Sequence, residues 1–320
     1  MRLVTRESQF LTSLESCKRE SEAAFGDDRI ILEQYLRDPR HVEVHIVGDS
    51  YGNVVHLHTR DCSLQRRHQK IIEETPAPGL SDNLRERIGG MAIRAVKAVN
   101  YVNAGTVEFL LNTATTDESR YVNDADFYFC KMNTRLQVEH PVTELITGLD
   151  LVEWQLRVAA GERLPITDQD RIPLSGHAME ARVYAETPAS SGGGFLPSAG
   201  RVWHHRPPTR INAGVDGDGI RVDTGLRASA SGRGEGGGGG GNWNNVGRSD
   251  GGGNGRRYDE EVTVHYDPLI SKIITHGPDR RTALSRLRSA LRRYELSGPG
   301  TNLRFLEGCA SHPDFDHDRV

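Results

Sequence analysis

Residues Phe127 to His140 read "FYFCKMNTRLQVEH". Lys131, Asn133, Arg135, Gln137, Glu139 and His140 crowd the end of an apolar run. Side chains at i and i+2 of a strand face the same way. Lys131 and Asn133 therefore share a face, and Arg135, Gln137 and Glu139 continue it if the backbone stays extended. The nearby "TVEFLL" reads as a neighbouring strand and carries Glu108. Two readings fit: a polar site on a sheet surface, or a solvated edge of alternating charge.

Working outward, residues 5–25 predict an amphipathic helix, with Phe10, Leu11, Leu14 and Cys17 at three- and four-residue spacing. "HVEVHIVGDSYGNVVHLHT" predicts an antiparallel hairpin around the turn "GDSYGN". Ser81 caps a helix whose apolar face is Leu84, Ile88, Met91 or Ala92, and Val96. "DLVEWQLRVAAGERLP" is another helix, stopped by Gly161. From Gly176 the pattern turns strand-rich through "GHAMEARVYAE", "GRVWHHRPP", "GIRVDTG" and "EEVTVHYDPLISKIITHG", before a last helix in "DRRTALSRLRSALRRYEL". Mixed helices and antiparallel pairs predict an α+β class. Two domains are expected, 1–170 and 171–320, with the boundary between Leu164 and Gly176. Residues 231–257 are glycine-rich, and the expectation there is a disordered insertion. "VDTGLR" and "EEVTVHYD" on either side of it read as paired strands.

Composition narrows the function. The 320 residues carry 44 acidic and 40 basic side chains, for a formal charge of -4. That balance points to no nucleic-acid partner and no membrane surface. No apolar run approaches the ~18 residues of a membrane helix. The first 25 residues have no signal-peptide core, and their early glutamates argue against a transit peptide. Cys17, Cys62, Cys130 and Cys309 show no metal spacing, so four ordinary thiols in a reducing compartment are expected.

Two more segments hold candidate chemistry. "RDCSLQRRHQK", residues 60–70, supplies Arg60, Asp61, Gln65, Arg66, Arg67, His68 and Lys70. It reads as a solvated basic face or as an anion-binding loop, since guanidinium forks suit phosphate and bicarbonate alike. In "GHAMEARVYAE" the alternation puts Glu180 and Arg182 on one strand face.

Taken together, "YLRDPRHVEVHIVGD", "RDCSLQRRHQKIIEETPAPG", "AGTVEFLLN", "MNTRLQVEHPVTELITGLDLVEWQL", "GHAMEARVYAE", "FLPSAGRV" and "VHYDPLISKIITHG" resemble the biotin carboxylase part of biotin-dependent carboxylases. The ending "RYELSGPGTNLRFLEGCASHPDF" resembles most the biotin-containing (alpha) subunit of the methylcrotonyl-CoA carboxylase branch, with the propionyl-CoA branch next. The likeness covers nearly the whole chain outside the glycine-rich tract. It implies the later part of an ATP-grasp domain followed by a β-rich biotin carboxylase C-terminal domain.

The resemblance also implies roles, residue by residue. Glu33, Gln34, Tyr35 and Leu36 would line the adenine pocket. His41, Gln65 and His68 would contact ribose and phosphates. Glu108 would hold magnesium or manganese, with Asn133 beside it. Lys70, Arg135, Gln137 and Val138 would surround bicarbonate, Glu139 would be the general base, and Arg182 would stabilise the biotin enolate. ATP would be consumed and biotin would arrive as a carrier-bound substrate. The implied partners are a biotin carrier domain and a carboxyltransferase subunit, and a homodimer is compatible with the family. The implied location is the mitochondrial matrix in a eukaryote and the cytoplasm otherwise.

Two departures from the family pattern stand out. The family has a metal-binding glutamate where this chain has Lys131. The family also has a domain and a glycine-rich lid ahead of the stretch that begins here, and a carrier domain after it. These departures lead to the expectation of a fragment with impaired activity. The alternatives are a non-catalytic remnant that binds ATP or a subunit, and another ATP-grasp ligase of the carbamoyl-phosphate synthetase kind. The last leaves "FLPSAGRV" and "VHYDPLISK" unexplained.

Overall fold

The computed structural model describes residues 1–66, 68–112, 126–188, 194–208, 217–226, 261–263, 265 and 267–316. The glycine-rich tract and Arg67 lie outside the described residues. The chain divides into two compact units, Met1–Pro39 and Arg40–Val320.

In the first unit a single 3-10 turn, Glu7–Gln9, leads into helix α1, Phe10–Phe25. Gly26 ends α1 at φ 67, and its N–H donates to the Glu22 carbonyl at 2.9 Å. Glycine takes this left-handed conformation without the penalty a Cβ brings. Glu33, Gln34, Tyr35 and Leu36 follow α1 in irregular backbone within this unit.

The second unit is built on one sheet of eight strands. They are β1 (Arg40–Gly48), β2 (Val54–Asp61), β3 (Ile72–Thr75), β4 (Asn103–Leu111), β5 (Phe127–Asn133), β6 (His177–Tyr184), β7 (Ile220–Thr224) and β8 (Leu269–Gly277). Their order is β7-β8-β6-β3-β2-β1-β4-β5, and the pairings are antiparallel. The sheet runs unbroken across residue 170. The predicted hairpin is β1 and β2.

Alternation sends the two faces to different tasks. On one face Val42, Val44 and Ile46 of β1 and Val107, Phe109 and Leu111 of β4 pack against helix α2, Asp82–Ala98. Ser81 caps α2 by accepting from the Leu84 N–H at 3.2 Å. Leu84, Ile88, Ala92 and Val96 are fully buried, so Ala92 and not Met91 completes the apolar stripe. Further along the same sheet, Met179, Ala181 and Val183 of β6 and Ile273 of β8 meet Ala283, Leu284 and Leu287 of helix α5, Arg280–Arg293. Truncating such a side chain, as in Ile88→Ala, costs about 2–5 kcal/mol.

The opposite face carries helices α3, His140–Thr147, and α4, Leu151–Ala159. Val142 and Ile146 of α3 pack on Ala178 of β6 and Ile274 of β8. Trp154 and Val158 of α4 pack with Val47, Val55 and Ala104. Helix α6 (Leu303–Ala310) buries Leu306 and Ala310, and a short helical turn, Pro313–Asp316, follows it.

Two expectations are corrected. Strand β5 ends at Asn133, and "HPVTELIT" is helix, with Pro141 at its start, where a missing N–H is harmless. The alternation from Lys131 to Glu139 therefore does not run along one strand. Among the described residues, the segments flanking the glycine-rich tract do not pair with each other as read. Residues 220–224 pair with 271–275, and 261–262 pair with 200–201.

Candidate active site

The face that carries α3 and α4 also carries a row of charged side chains. It follows from strand register alone. Lys131 of β5 stands opposite Glu108 of β4, Glu108 opposite Glu43 of β1, and Glu43 opposite Arg60 of β2. Glu73 of β3 stands opposite Glu180 of β6, and Arg182 opposite Lys272 of β8. Seven adjacent strands thus contribute to one polar band. Burying that much charge is costly unless the groups pair and hydrogen-bond.

Arg60 is the fully buried anchor. Its Nε donates to Glu43 Oε1 at 2.6 Å. Its Nη1 reaches His45 Nδ1 at 2.8 Å and Thr143 Oγ1 at 3.0 Å. Its Nη2 donates to Gln137 Oε1 at 2.8 Å and Thr106 Oγ1 at 3.1 Å. Burial drives the Glu43 carboxyl upward, but Arg60 and Lys70 beside it overcome this and hold it well below the usual carboxylate range.

Lys70 sits at the tip of a two-residue hairpin strand, Gln69–Lys70. Its Nζ lies 2.5 Å from Glu43 Oε2, 2.6 Å from Glu139 Oε1 and 3.3 Å from Glu108 Oε1. Glu139, the residue before α3, gives its other oxygen to Arg182 Nη2 at 2.9 Å. Arg182 Nε lies 2.5 Å from Glu73 Oε1. Glu139 is therefore gripped by two cations from opposite sides. A carboxylate held this way is aimed and kept ready to accept a proton once a substrate displaces one partner.

Glu108 collects most of the remaining polar groups. Asn133 Nδ2 donates to its Oε1 at 2.6 Å, and Gln137 Nε2 to the same oxygen at 3.1 Å. His41 Nε2 is 2.9 Å from Oε2, and Gln65 Nε2 meets His41 Nδ1 at 2.7 Å. Burial opposes ionisation of Glu108, but the His41 hydrogen bond and the Lys70 and Lys131 charges bring it down to about 2.

The donor set at Glu108 suits magnesium only in a lean form. Magnesium takes one or two protein carboxylates and completes its octahedron with phosphate and water oxygens. Glu108 and the amide oxygen of Asn133 fit that requirement. Lys131 adds an ammonium 3.6 Å from Glu108 Oε2, on a side chain 58% exposed.

The remaining predicted residues fall out as follows. Lys70, Gln137, Glu139 and Arg182 come together with Glu108, Asn133, His41 and Gln65. Val138 contributes a carbonyl that accepts from Lys272 Nζ at 2.8 Å. Arg135 is exposed, and its Nη1 donates to the Leu136 carbonyl at 3.1 Å. His68 is exposed with φ 67. The basic run 60–70 is not one continuous anion loop. Arg60 is buried beneath the sheet surface, Asp61 pairs with Arg40 at 2.6 Å, and Arg66 pairs with Glu186 at 2.6 Å.

Sequence reasoning passed over Glu43, His45, Glu73 and Lys272. The signal was present in "HVEVHIVG", where Val42, Val44 and Ile46 fill one face and Glu43 and His45 must take the other.

Comparison with known proteins gives the class first. Residues 1–167 match the family described as carbamoyl-phosphate synthase L chain, ATP binding domain, and residues 248–320 match the biotin carboxylase C-terminal domain. The fold is the mixed, ATP-grasp-like one of that class. The chain belongs to the biotin carboxylase family. It is 45% identical to the methylcrotonoyl-CoA carboxylase alpha subunit, mitochondrial, of Rattus norvegicus over 100% of this chain and 38% of the rat protein. It is 39% identical to a Nostoc biotin carboxylase over 98% of this chain and 59% of that protein. Among solved structures, Campylobacter jejuni biotin carboxylase in a β-γ-ATP complex superposes with a TM-score of 0.80 at 35% identity, covering 100% of this chain and 60% of that one. The biotin carboxylase domain of Hydrogenobacter thermophilus 2-oxoglutarate carboxylase, in complex with MgADP, ADP and bicarbonate, gives 0.78 at 35%, with 100% and 59% covered. The chain thus spans 38% to 60% of these relatives' own length. Among the described residues, no helix is long and apolar enough to cross a membrane.

Proposed function

We propose that this site carboxylates biotin with bicarbonate at the expense of ATP, as one part of an acyl-CoA carboxylase. The observation that carries the reading is Glu139, set between Lys70 and Arg182 at 2.6 and 2.9 Å. Bicarbonate bound by Lys70, Gln137 and the Val138 backbone, with Arg135 turned inward, gives its proton to Glu139. The freed oxygen attacks the γ-phosphorus as the bond to ADP breaks, which yields carboxyphosphate. The phosphate that departs from carbon dioxide takes the proton from the ureido nitrogen of biotin. Arg182 faces the resulting enolate, and the nitrogen attacks carbon dioxide.

Glu33, Gln34, Tyr35 and Leu36 serve the adenine ring in this reading, and His41, Gln65 and His68 the ribose and phosphates. A magnesium ion at Glu108 and Asn133 would supply charge neutralisation at the phosphates. The division at about residue 170 then separates nucleotide chemistry from the C-terminal domain. A biotin carrier domain and a carboxyltransferase subunit are the partners this assigns, with a mitochondrial matrix location in a eukaryote.

The test is ATP hydrolysis by the full chain with bicarbonate and free biotin. The expected result is hydrolysis that needs both, and that falls by at least about a hundredfold in Glu139→Gln while Mg-ATP still binds. Hydrolysis indifferent to bicarbonate overturns the reading. A second reading, nucleotide binding without turnover, is favoured by the ammonium of Lys131 beside Glu108. It is selected by calorimetric Mg-ATP binding with no bicarbonate-dependent hydrolysis.

A further inference from the structure

Glu180 lies in the middle of β6 on the site face and is fully buried. Its cross-strand neighbour, Glu73 of β3, is equally buried. Glu73 has a cation, since Arg182 Nε lies 2.5 Å away. Glu180 is different. Like those of Glu73, both its carboxylate oxygens are buried without a hydrogen bond, but among the described residues no cation stands in ion-pair contact with them.

The charged groups facing Glu180 come from every element around it. Arg182 is two positions along the same strand, Glu73 is on β3, Lys272 is on β8, and Glu139 is in the segment before α3. Helix α3 adds His140, whose Nδ1 is 2.7 Å from the Gln137 carbonyl, and Glu144, whose Oε2 is 2.8 Å from Arg221. Lys272 Nζ is engaged with the Val138 carbonyl at 2.8 Å and lies 3.4 Å from Asp223.

Two adjacent carboxylates in low dielectric do not both ionise when one guanidinium serves only one of them. Arg182 keeps its charge, so Glu73, which it touches, is the partner that ionises first. We propose that Glu180 is a positioning residue, held as the neutral acid, and that its neutrality leaves Arg182 stretched between Glu73 and Glu139 and leaves Lys272 on the Val138 carbonyl. The electrostatics agree with this order. Burial pushes Glu180 up to about 8 against the pull of Lys272, and Glu73 up to about 7 against the pull of Arg182.

Ionised, Glu180 competes for both cations. Arg182 then loses its hold on Glu139, and Lys272 loses its hold on the 135–139 segment. The inference deepens the proposed function, since it rests on that reading for the value of keeping Arg182 in place. Its test uses neither ATP, bicarbonate nor biotin, so the two stand or fall separately.

The experiment follows the side-chain Nε–H resonance of Arg182 by NMR in the full chain, assigned by its loss in Arg182→Lys. The expected result is a shift with pH that includes a step near 8, and the loss of that step in Glu180→Gln, whose amide cannot ionise. A purely structural role for Glu180 moves no such midpoint. A wild-type resonance that does not titrate overturns the proposal, as does a Glu180→Gln chain that titrates like wild type. Infrared spectroscopy of the wild type gives a second measurement that needs no folded variant. A protonated-carboxylic-acid carbonyl band at neutral pH supports the proposal, and its absence overturns it.

Discussion

Lys131 stands directly across the strand pair from Glu108, with its ammonium 3.6 Å from the carboxylate that gathers His41, Asn133, Gln137 and Lys70. It is the most exposed of these partners. At ~4 Å an ammonium repels a unit positive charge by about 4 kcal/mol at an effective dielectric of 20, and by much less in water. Lys131 thus opposes a metal ion at Glu108 without being locked in place.

Lys131→Glu is expected to tighten Mg-ATP binding. Exposed ion pairs are worth about 0.2–1 kcal/mol, which sets the gain at roughly 1.4- to fivefold. The gain disappears in Glu108→Gln, because two carboxylates on one ion are coupled. Titration calorimetry on the original chain, both single variants and the double variant measures it. Weaker binding in Lys131→Glu would show that the lysine serves phosphate directly.

Arg60→Met is expected to cost about 3–5 kcal/mol of stability, because it strands Glu43 as a buried, partly unpaired charge. Adding Glu43→Gln recovers a large part of that loss. Urea denaturation of the single and double variants reads the coupling. Additive losses would mean that the two residues act separately.

Glu74 governs part of the acid response. Its Oε2 is 2.7 Å from His177 Nε2 and 2.7 Å from Arg280 Nε, and Arg280 Nη2 is 2.9 Å from Oε1. Burial works upward on this carboxyl, yet His177 and Arg280 bring it from 4.5 down to about 2. A depressed carboxyl contributes stability above its unfolded pKa and loses it as pH falls through the folded one. The contribution at neutral pH is on the order of 3 kcal/mol. It fades from about pH 4.5 toward pH 2, and thermal melts across that window should fall less steeply in Glu74→Gln. An unchanged slope would place the acid sensitivity elsewhere.

The legibility of this site in the sequence was uneven, and strand register explains why. Lys70, Gln137, Glu139 and Arg182 were readable because they sit in long motifs. The helix at 140–147 is hidden, since "HPVTELIT" is only eight residues long. Glu43, Glu73 and Lys272 belong to the site only through pairing with strands distant in the chain. No local pattern encodes which strands become neighbours. Glu180 was placed on the same face as Arg182 from alternation, but its lack of a partner depends on what α3 and β3 bring over it.

Deleting residues 233–256 is expected to leave the melting temperature unchanged or slightly raised. The tract has no apolar periodicity, and closing a longer loop costs only about 0.6 kcal/mol per doubling. The strands on either side find their partners at 271–275 and 200–201. A large fall in melting temperature would show that the tract contributes to packing.

The charged row from Lys131 to Lys272 has a kinetic consequence. Its members sit on strands whose order in space departs from their order in the chain, with β6 beside β3 and β8 beyond β6. Contacts of such long sequence separation form late, because chain closure is spent before any contact rewards it. Carboxylates that have not met their cations remain hydrated until then, so the row resists premature collapse of the sheet. Formation of the Arg60 and Lys70 contacts during refolding would therefore report the closing of the last strand pairs, and ligand affinity should return only with the slowest phase.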